Sequence, residues 1–235
     1  MILKLSYIGL SLLMILVQLL IAKYAISKTF DIKKGKKKLI IVAMFILLWH
    51  GYIKLLSYLG VLHNMDFPPR FAIFLIIPAF ILSGIFIYKN RKADWILNIK
   101  PHWLIFYQSF RVLIETIFVY SVAANVLHKN VTVEGYNYDM VFAFTAILVG
   151  FLLLKNFRKF RKLALAWNYL GLVVIAVIIF LFQASIYMPE MFGKDSLPFP
   201  SEFTFYPYIL VAGFLMPSAV FVHLLSIVQL KRMDD

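Results

Sequence analysis

Long apolar runs alternate with short polar and basic stretches along the whole chain. A membrane-spanning helix needs roughly 20 predominantly apolar residues, and seven runs reach or approach that length. They predict spans at 5–27, 39–62, 70–88, 103–127, 139–154, 163–187 and 207–230. We therefore expect an all-α fold, in which residues 1–235 form a single polytopic seven-transmembrane-helix bundle without a soluble domain.

The composition supports this class. Hydrophobic residues make up 63% of the chain and charged residues 15%, whereas a soluble domain is about half apolar and about a quarter charged. The polar residues are too few to cover a water-soluble surface. Cysteine is absent, which excludes disulfides, a thiolate nucleophile and cysteine-ligated metals.

The basic residues predict the orientation of the bundle. Seventeen Lys and Arg residues fall in the segments 28–38, 89–102 and 155–162 and in the C-terminal tail. Four face the other side: Lys4, Arg70, Lys129 and Lys194. Acidic residues collect on that second side: Asp66, Glu134, Asp139, Glu190, Asp195 and Glu202. Because cytoplasmic loops carry the excess of Lys and Arg, we expect the N-terminus outside and the C-terminus in the cytoplasm.

The same clustering explains the net charge of +13. Basic residues confined to loops between apolar runs are topology determinants that lie against lipid headgroups. We therefore expect the lipid bilayer, and no nucleic acid, as the partner of these charges.

The fourth span carries two formal charges where hydrocarbon is expected. Gln108, Arg111 and Glu115 are spaced i, i+3 and i+7, which places them on one helix face. Ionisable residues inside a span are costly and indicate a functional site. At about 1.5 Å of rise per residue, two levels of polar side chains result. The lower level joins Arg111 to His223 and Asn168, and the upper level joins Glu115 to His50 and Lys54 of the second span.

A charge count suggests a ligand for this interior. Arg111, Lys54 and Glu115 leave one positive charge unbalanced, and an isolated buried charge is expensive. Either Lys54 is neutral, or Asp139 compensates it, or an anionic ligand does. The last option predicts a transporter or sensor that binds a small anionic molecule or a lipid headgroup. The candidate ligand-binding residues are Arg111, Glu115, Lys54, His50, Asn168, His223 and Asp139.

Two other functions fit the same residues. Arg111 and Glu115 could pair with each other and only hold helices together, as in a structural or accessory subunit, because a buried ion pair need not mark chemistry. His50, His223 and Glu115 could supply three ligands to a catalytic zinc, as in an intramembrane, metal-dependent hydrolase. The non-enzymatic function is favoured. The sequence identifies no catalytic residue, no resident cofactor and no oligomeric state.

The third and seventh spans resemble each other. Both begin at an aromatic-Pro pair and carry a second proline within the span, Pro78 and Pro217. Both run from outside to inside in the expected topology, as a three-plus-one-plus-three parallel repeat requires. Each inner proline is expected to kink its helix and to free one backbone carbonyl.

Several short motifs follow one another in a fixed order along the chain. They are Pro68-Pro69-Arg70, Arg111…Glu115, Glu134-Gly135-x-Asn137-x-Asp139, Trp167-Asn168-x-x-Gly171-Leu172 and Pro207…Pro217…His223-Leu224. In this order they resemble a family of bacterial multi-pass, seven-span inner-membrane proteins with no known activity. The resemblance implies a bacterial inner (plasma) membrane location and supplies no function.

The third motif also has a physical interpretation. Gly135 permits a tight turn, and Asn137 and Asp139 can cap the outer N-terminus of the fifth span, where acidic groups are favoured. The sharper alternative is that Asp139 reaches the charged interior from outside.

Overall fold

The computed structural model describes residues 1–193 and 198–233. Lys194 and Asp195, which entered the charge count, lie outside the described residues. The described chain is helical, with no strands. Six of its helical segments are long and apolar enough to cross a membrane. The chain is therefore a multi-pass membrane protein.

Nine α-helices form the part of the molecule that the structure describes. They are α1 (Ile2–Thr29), α2 (Ile32–Tyr58), α3 (Ile77–Asn90), α4 (Trp95–Asn98), α5 (Pro101–Tyr107), α6 (Phe110–Ala123), α7 (Asp139–Lys155), α8 (Phe157–Tyr187) and α9 (Met216–Arg232) among the described residues. α5 and α6 form one span of 23 residues, broken by a turn at Gln108 and Ser109. α7 has 17 residues, which is the lower limit for a span.

Two basic segments predicted as loops are largely helical. The side chain of Asp31 accepts a hydrogen bond from the Lys34 amide at 2.9 Å and begins α2. The side chain of Asn156 accepts one from the Lys159 amide at 3.0 Å and begins α8. Both are N-caps, and the Lys and Arg residues that follow are good helix formers. The sixth span therefore starts at Phe157 instead of residue 163.

α9 is the central helix of the bundle. It packs against α3, α5 and α8, and 72% of the residues in its most apolar window are buried, compared with 11% for α2 and 33% for α8. The outer helices instead expose large aliphatic side chains, as a lipid-facing surface does. Polar residues on α9, α6 and the buried face of α8 therefore point into the protein.

The predicted similarity of the third and seventh spans extends to their backbone. Each segment begins with a cis peptide bond, before Pro68 and before Pro207. Each continues as a five-residue π-helix, Ala72–Ile76 or Val211–Leu215, and then as the α-helix that holds Pro78 or Pro217 in its first turn. The two π-helices also contact each other.

The carbonyls freed by the two inner prolines are both bonded by α2. Phe74 and Gly213 lie four residues before Pro78 and Pro217, which lack an N–H to bond them. The Tyr52 hydroxyl donates to the Phe74 carbonyl at 3.2 Å, and the Trp49 indole N–H donates to the Gly213 carbonyl at 2.8 Å. One turn of α2 thus satisfies both proline sites, as neighbouring helices commonly do in membrane proteins.

Candidate functional site

The buried cation of the fourth span is paired with Asp139. Arg111 Nε donates to Asp139 Oδ2 at 2.9 Å, and Nη2 donates to Oδ1. Both side chains are almost completely buried, and the Phe142 ring lies 5.3 Å from the guanidinium carbon. The pairing of Arg111 with Glu115, which the structural alternative considered, is therefore replaced by a pairing with Asp139, which reaches the interior from the start of α7.

His223 continues this network toward α8. Arg111 Nη1 lies 3.3 Å from His223 Nε2, and His223 Nδ1 lies 2.9 Å from Asn168 Oδ1. A guanidinium only donates and an amide oxygen only accepts, so His223 is neutral with its proton on Nδ1. The Asn168 amide group in turn donates to Ser226 Oγ and to the Ala164 carbonyl. The lower level of polar residues thus assembles as the sequence predicted, with Asp139 and Ser226 added.

Gly171 makes room for this histidine. A Cβ atom at Gly171 would lie 2.4 Å from His223 Cε1 and 2.5 Å from Nε2. The Trp167 ring, one turn earlier on α8, lies 5.4 Å from the imidazole. The Trp167 indole N–H is bonded to Thr145 Oγ1 at 2.8 Å. The imidazole is therefore held by packing on α8 as well as by its two hydrogen bonds.

Glu115 lies in the same interior with one oxygen bonded and one without a partner. Its Oε1 accepts from Asn137 Nδ2 at 2.8 Å. Its Oε2 has no hydrogen-bond partner among the described residues, although the side chain is only 1% exposed. Buried carboxylate oxygens are normally paired, so this oxygen is an unsatisfied polar group of the kind that binding sites contain.

Asn137 connects the outer loop to Glu115. Besides the bond to Glu115, its Nδ2 donates to the Val131 carbonyl at 3.0 Å, and its Oδ1 accepts from the Asp139 amide at 2.9 Å. The sequence predicted the capping contact but not the contact with Glu115. The sequence feature that could have indicated this contact is the position of Asn137, two residues before Asp139.

The loop before α7 folds inward because of one glycine. A Cβ atom at Gly135 would lie 2.4 Å from the Lys129 carbonyl oxygen and 2.7 Å from Asn130 Cα. Only glycine permits this close backbone approach. The turn brings the buried residues Asn137 and Asp139 onto α6, where they bond Glu115 and Arg111, which supports the sharper of the two roles considered for Asp139.

The predicted upper level does not form. Lys54 is exposed on the outside of α2, and its Nζ lies 5.9 Å from the centre of the Tyr206 ring. His50 Nδ1 lies 2.9 Å from the Ile46 carbonyl of its own helix, and its ring packs against Phe214. Neither side chain contacts Glu115, because the rotation of α2 about its axis directs both of them elsewhere.

The same positions bear on the zinc hypothesis. No group of three His, Asp or Glu side chains within residues 1–193 and 198–233 is arranged to hold a metal ion. The His50 ring is bonded to its own helix and packs against Phe214, and the Nε2 atom of His223 lies 3.3 Å from Arg111 Nη1. The three ligands proposed for a catalytic zinc, His50, His223 and Glu115, therefore do not converge.

Next to Glu115 lies an apolar cavity of ≈ 70 Å³. At about 10–15 Å³ per water molecule in this measure, it has room for a few waters or for the end of a slender chain. Its walls come mainly from α6, α8, α9 and both π-helices, with Asp139 from the start of α7, and they are apolar except at four polar side chains. These are Arg111, Glu115, Asp139 and Gln183. Gln183 was not among the residues predicted from the sequence, since a lone glutamine on an apolar helix matched no pattern.

The cavity is partly open at its edge. The half-buried lining residues include Ile76, Ile178 and Met216, which are apolar, and Gln183, which is polar. All four lie within segments that are long and apolar enough to cross a membrane.

No family model, curated protein or solved structure matches the chain. The function therefore has to be inferred from the geometry of the site. Five residues of the short motifs, Arg111, Glu115, Asn137, Asp139 and His223, lie in a single region of the bundle.

Proposed function

We propose that the protein is a transporter or sensor that takes a small amphiphilic molecule from the bilayer into the cavity beside Glu115. The observation that carries this proposal is the Oε2 atom of Glu115, which is buried and unpartnered among the described residues, on a side chain that lines an apolar cavity. Ligand sites combine apolar walls with a few convergent polar groups, and this cavity has that composition.

The proposed topology has seven spans with the N-terminus outside, in a bacterial inner membrane. α7 would add one crossing to the six helical segments described above. Its 17 residues rise about 25 Å, which is close to the thickness of the hydrocarbon core. Asn156 alone separates α7 from α8, which supports an antiparallel pair of spans. The charge asymmetry of the loops supports the orientation.

The charges at the site change the class of ligand that we expect there. The anionic molecule or lipid headgroup was expected because Lys54 added an unbalanced positive charge, and Lys54 is exposed away from the interior. Arg111 is neutralised by Asp139, so Glu115 is the remaining ionisable group at the cavity. This supports a ligand whose polar end donates hydrogen bonds, as an amine or hydroxyl headgroup does.

A purely structural role accounts for less of the site. The Arg111–Asp139 pair ties α6 to α7 and would serve a structural or accessory subunit as well. Such a clamp gives no reason for an unpartnered carboxyl oxygen beside a cavity, which costs about 1–3 kcal/mol. A binding protein gains that free energy back when its ligand occupies the site.

The test is labelling with dicyclohexylcarbodiimide, an apolar reagent that adds to protonated carboxyls in apolar surroundings. Membranes containing the wild-type protein are treated, and the intact protein and its peptides are analysed by mass spectrometry. We expect one adduct, located on Glu115, and none in the Glu115→Gln variant. An unlabelled Glu115 in a folded protein would overturn the proposed function.

Two controls define the route of the reagent. Asp139 is equally buried but bidentately paired with Arg111, so we expect it to remain unlabelled. Asp31 and Asp66 lie at exposed positions and should react with a water-soluble carbodiimide, whereas Glu115 should not. The contrast between the two reagents shows whether Glu115 is reached from lipid or from water.

A further inference from the structure

We infer that the ligand of the Glu115 cavity is a slender lipophilic amine, bound as its ammonium form in exchange for one proton. This inference rests on the proposed function and specifies its substrate class. Three features of the site carry it: the charge balance of the interior, the hydrogen-bonding capacity of Glu115 and the shape of the cavity.

The charge balance favours a cation over an anion. Arg111 and Asp139 cancel, and His223 is neutral because Arg111 donates to its Nε2 atom and Asn168 accepts from its Nδ1 atom. An ionised Glu115 would then be the uncompensated charge of the cavity. An anionic ligand would add a second negative charge in a low-dielectric interior, where like charges repel strongly.

The hydrogen bonds of Glu115 point to the same ligand. Asn137 supplies one N–H to Oε1, and Oε2 is left without a partner among the described residues. As an acid, Glu115 has a hydroxyl with no acceptor. As a carboxylate, it has an oxygen with no donor and a charge with no partner. An ammonium group placed at Oε2 provides both the donor and the opposite charge, and such charge-assisted bonds are the strong ones.

The walls of the cavity limit the rest of the ligand. Ile114, Phe118, Ile175, Ile179 and Phe182 line it, and none of these side chains can bond a polar group. A volume of ≈ 70 Å³ suits the end of a slender aliphatic chain. We place the rest of the tail between the half-buried apolar residues Ile178 and Met216, in the hydrocarbon layer.

The binding step balances as an exchange. The empty site holds Glu115 as the acid, because an isolated charge there is costly. An alkylammonium ion enters, the Glu115 O–H bond breaks, the proton leaves to solvent, and the ammonium group bonds Oε2 of the carboxylate. The cavity is neutral before and after the step. Amine and proton therefore compete for one carboxyl, which is the requirement for an amine–proton exchanger and equally for an amine sensor linked to pH.

The experiment uses three probes that share one chain: hexylammonium, hexanol and hexanoate. Each is tested for protection of Glu115 against dicyclohexylcarbodiimide in the purified, detergent-solubilised protein, and hexylammonium binding is measured by titration calorimetry. We expect hexylammonium to protect at a concentration at least about tenfold lower than hexanol, and hexanoate not to protect.

The proton exchange has its own measurement. One proton released per amine raises the apparent affinity about tenfold per pH unit in the range where Glu115 is protonated and the amine is charged. Calorimetry in buffers with different ionisation enthalpies should give one proton released per hexylammonium. The Glu115→Gln variant keeps the shape of the side chain and should lose binding. If that variant does not fold, the comparison of the three probes on the wild type still decides.

The outcomes separate the two proposals. Labelling of Glu115 that hexylammonium does not prevent would overturn the amine assignment and leave the bilayer-accessible site in place. Protection by hexanoate and not by hexylammonium would overturn the amine assignment and support the originally expected anionic ligand. Protection by hexylammonium without a pH dependence would overturn the exchange. Absence of labelling in the folded wild type would overturn both proposals.

Discussion

Arg111 and Asp139 form a bidentate ion pair between α6 and the first turn of α7, across 28 residues of sequence. The pair neutralises the buried Arg111 and holds the outer loop against the bundle. Asp139 is balanced in this way, so Glu115 is the remaining carboxyl group among the side chains that line the cavity, and it sets the charge of the site.

The pair should be strongly coupled in stability. Replacing one partner leaves a buried charge alone, which costs about 3–5 kcal/mol, whereas replacing both with apolar residues is often close to neutral. We expect Arg111→Met and Asp139→Leu each to lower the melting temperature in detergent far more than the double variant does. Additive effects of the two substitutions would show that the pair is not formed.

Gly171 tests the placement of His223. The Cβ atom of Gly171→Ala would overlap the imidazole ring, and overpacking of this kind costs about 1–3 kcal/mol. The matched control is Gly84→Ala on α3, where a Cβ atom meets nothing within 4 Å. We expect thermal unfolding to detect a loss of stability at Gly171 and none at Gly84. Equal melting temperatures for the two variants would contradict the position of the ring.

Trp49 and Tyr52 of α2 should each be coupled to one proline in their effect on the free energy of unfolding. Trp49→Phe leaves the Gly213 carbonyl unbonded, which costs about 1–3 kcal/mol. Pro217→Ala restores the N–H that can bond that carbonyl. We therefore expect Pro217→Ala to reduce the cost of Trp49→Phe.

The corresponding double-mutant cycle pairs Tyr52→Phe with Pro78→Ala. The crossed pairs, Trp49→Phe with Pro78→Ala and Tyr52→Phe with Pro217→Ala, serve as controls. Unfolding of all single and double variants in detergent gives the coupling free energies. The same coupling in matched and crossed pairs would rule out the proposed division of the two carbonyls between Trp49 and Tyr52.

The natural absence of cysteine makes the topology directly testable. Single variants Asp66→Cys, Glu134→Cys and Lys159→Cys can be labelled with a membrane-impermeant maleimide in intact and permeabilised cells. We expect the first two to react in intact cells and Lys159→Cys only after permeabilisation. If Glu134→Cys and Lys159→Cys react from the same side, α7 does not cross the membrane and the seven-span topology fails.

The sequence predicted the helical class and the lower level of the site for a simple reason. Rise along a helix is regular, so residue counting placed Arg111, Asn168 and His223 at one depth. Counting does not give the rotation of one helix against another, and this is why Lys54 and His50 were assigned to Glu115 although they point elsewhere.

Two other features lay beyond what a linear pattern contains. Asp139 and Asn137 enter the interior because the turn at Gly135 bends the loop inward, and that bend depends on tertiary contacts with Lys129 and Asn130. The basic segments were predicted as loops from their charge alone. Their N-caps Asp31 and Asn156 were visible in the sequence and would have moved the helix starts to the observed positions.

The proposed function requires that Glu115 be reached from the bilayer through the edge of the cavity. This access is measured by the fraction of Glu115 that dicyclohexylcarbodiimide labels in membranes, compared between the wild type and Ile178→Trp, which adds bulk at a half-buried position of the cavity wall. Tyr169→Trp, at an exposed position elsewhere on α8, controls for the added bulk. We expect strong labelling of the wild type and the control, and a decrease of about tenfold or more in Ile178→Trp. Equal labelling of all three proteins, or no labelling of the wild type, would show that Glu115 is not reached in this way.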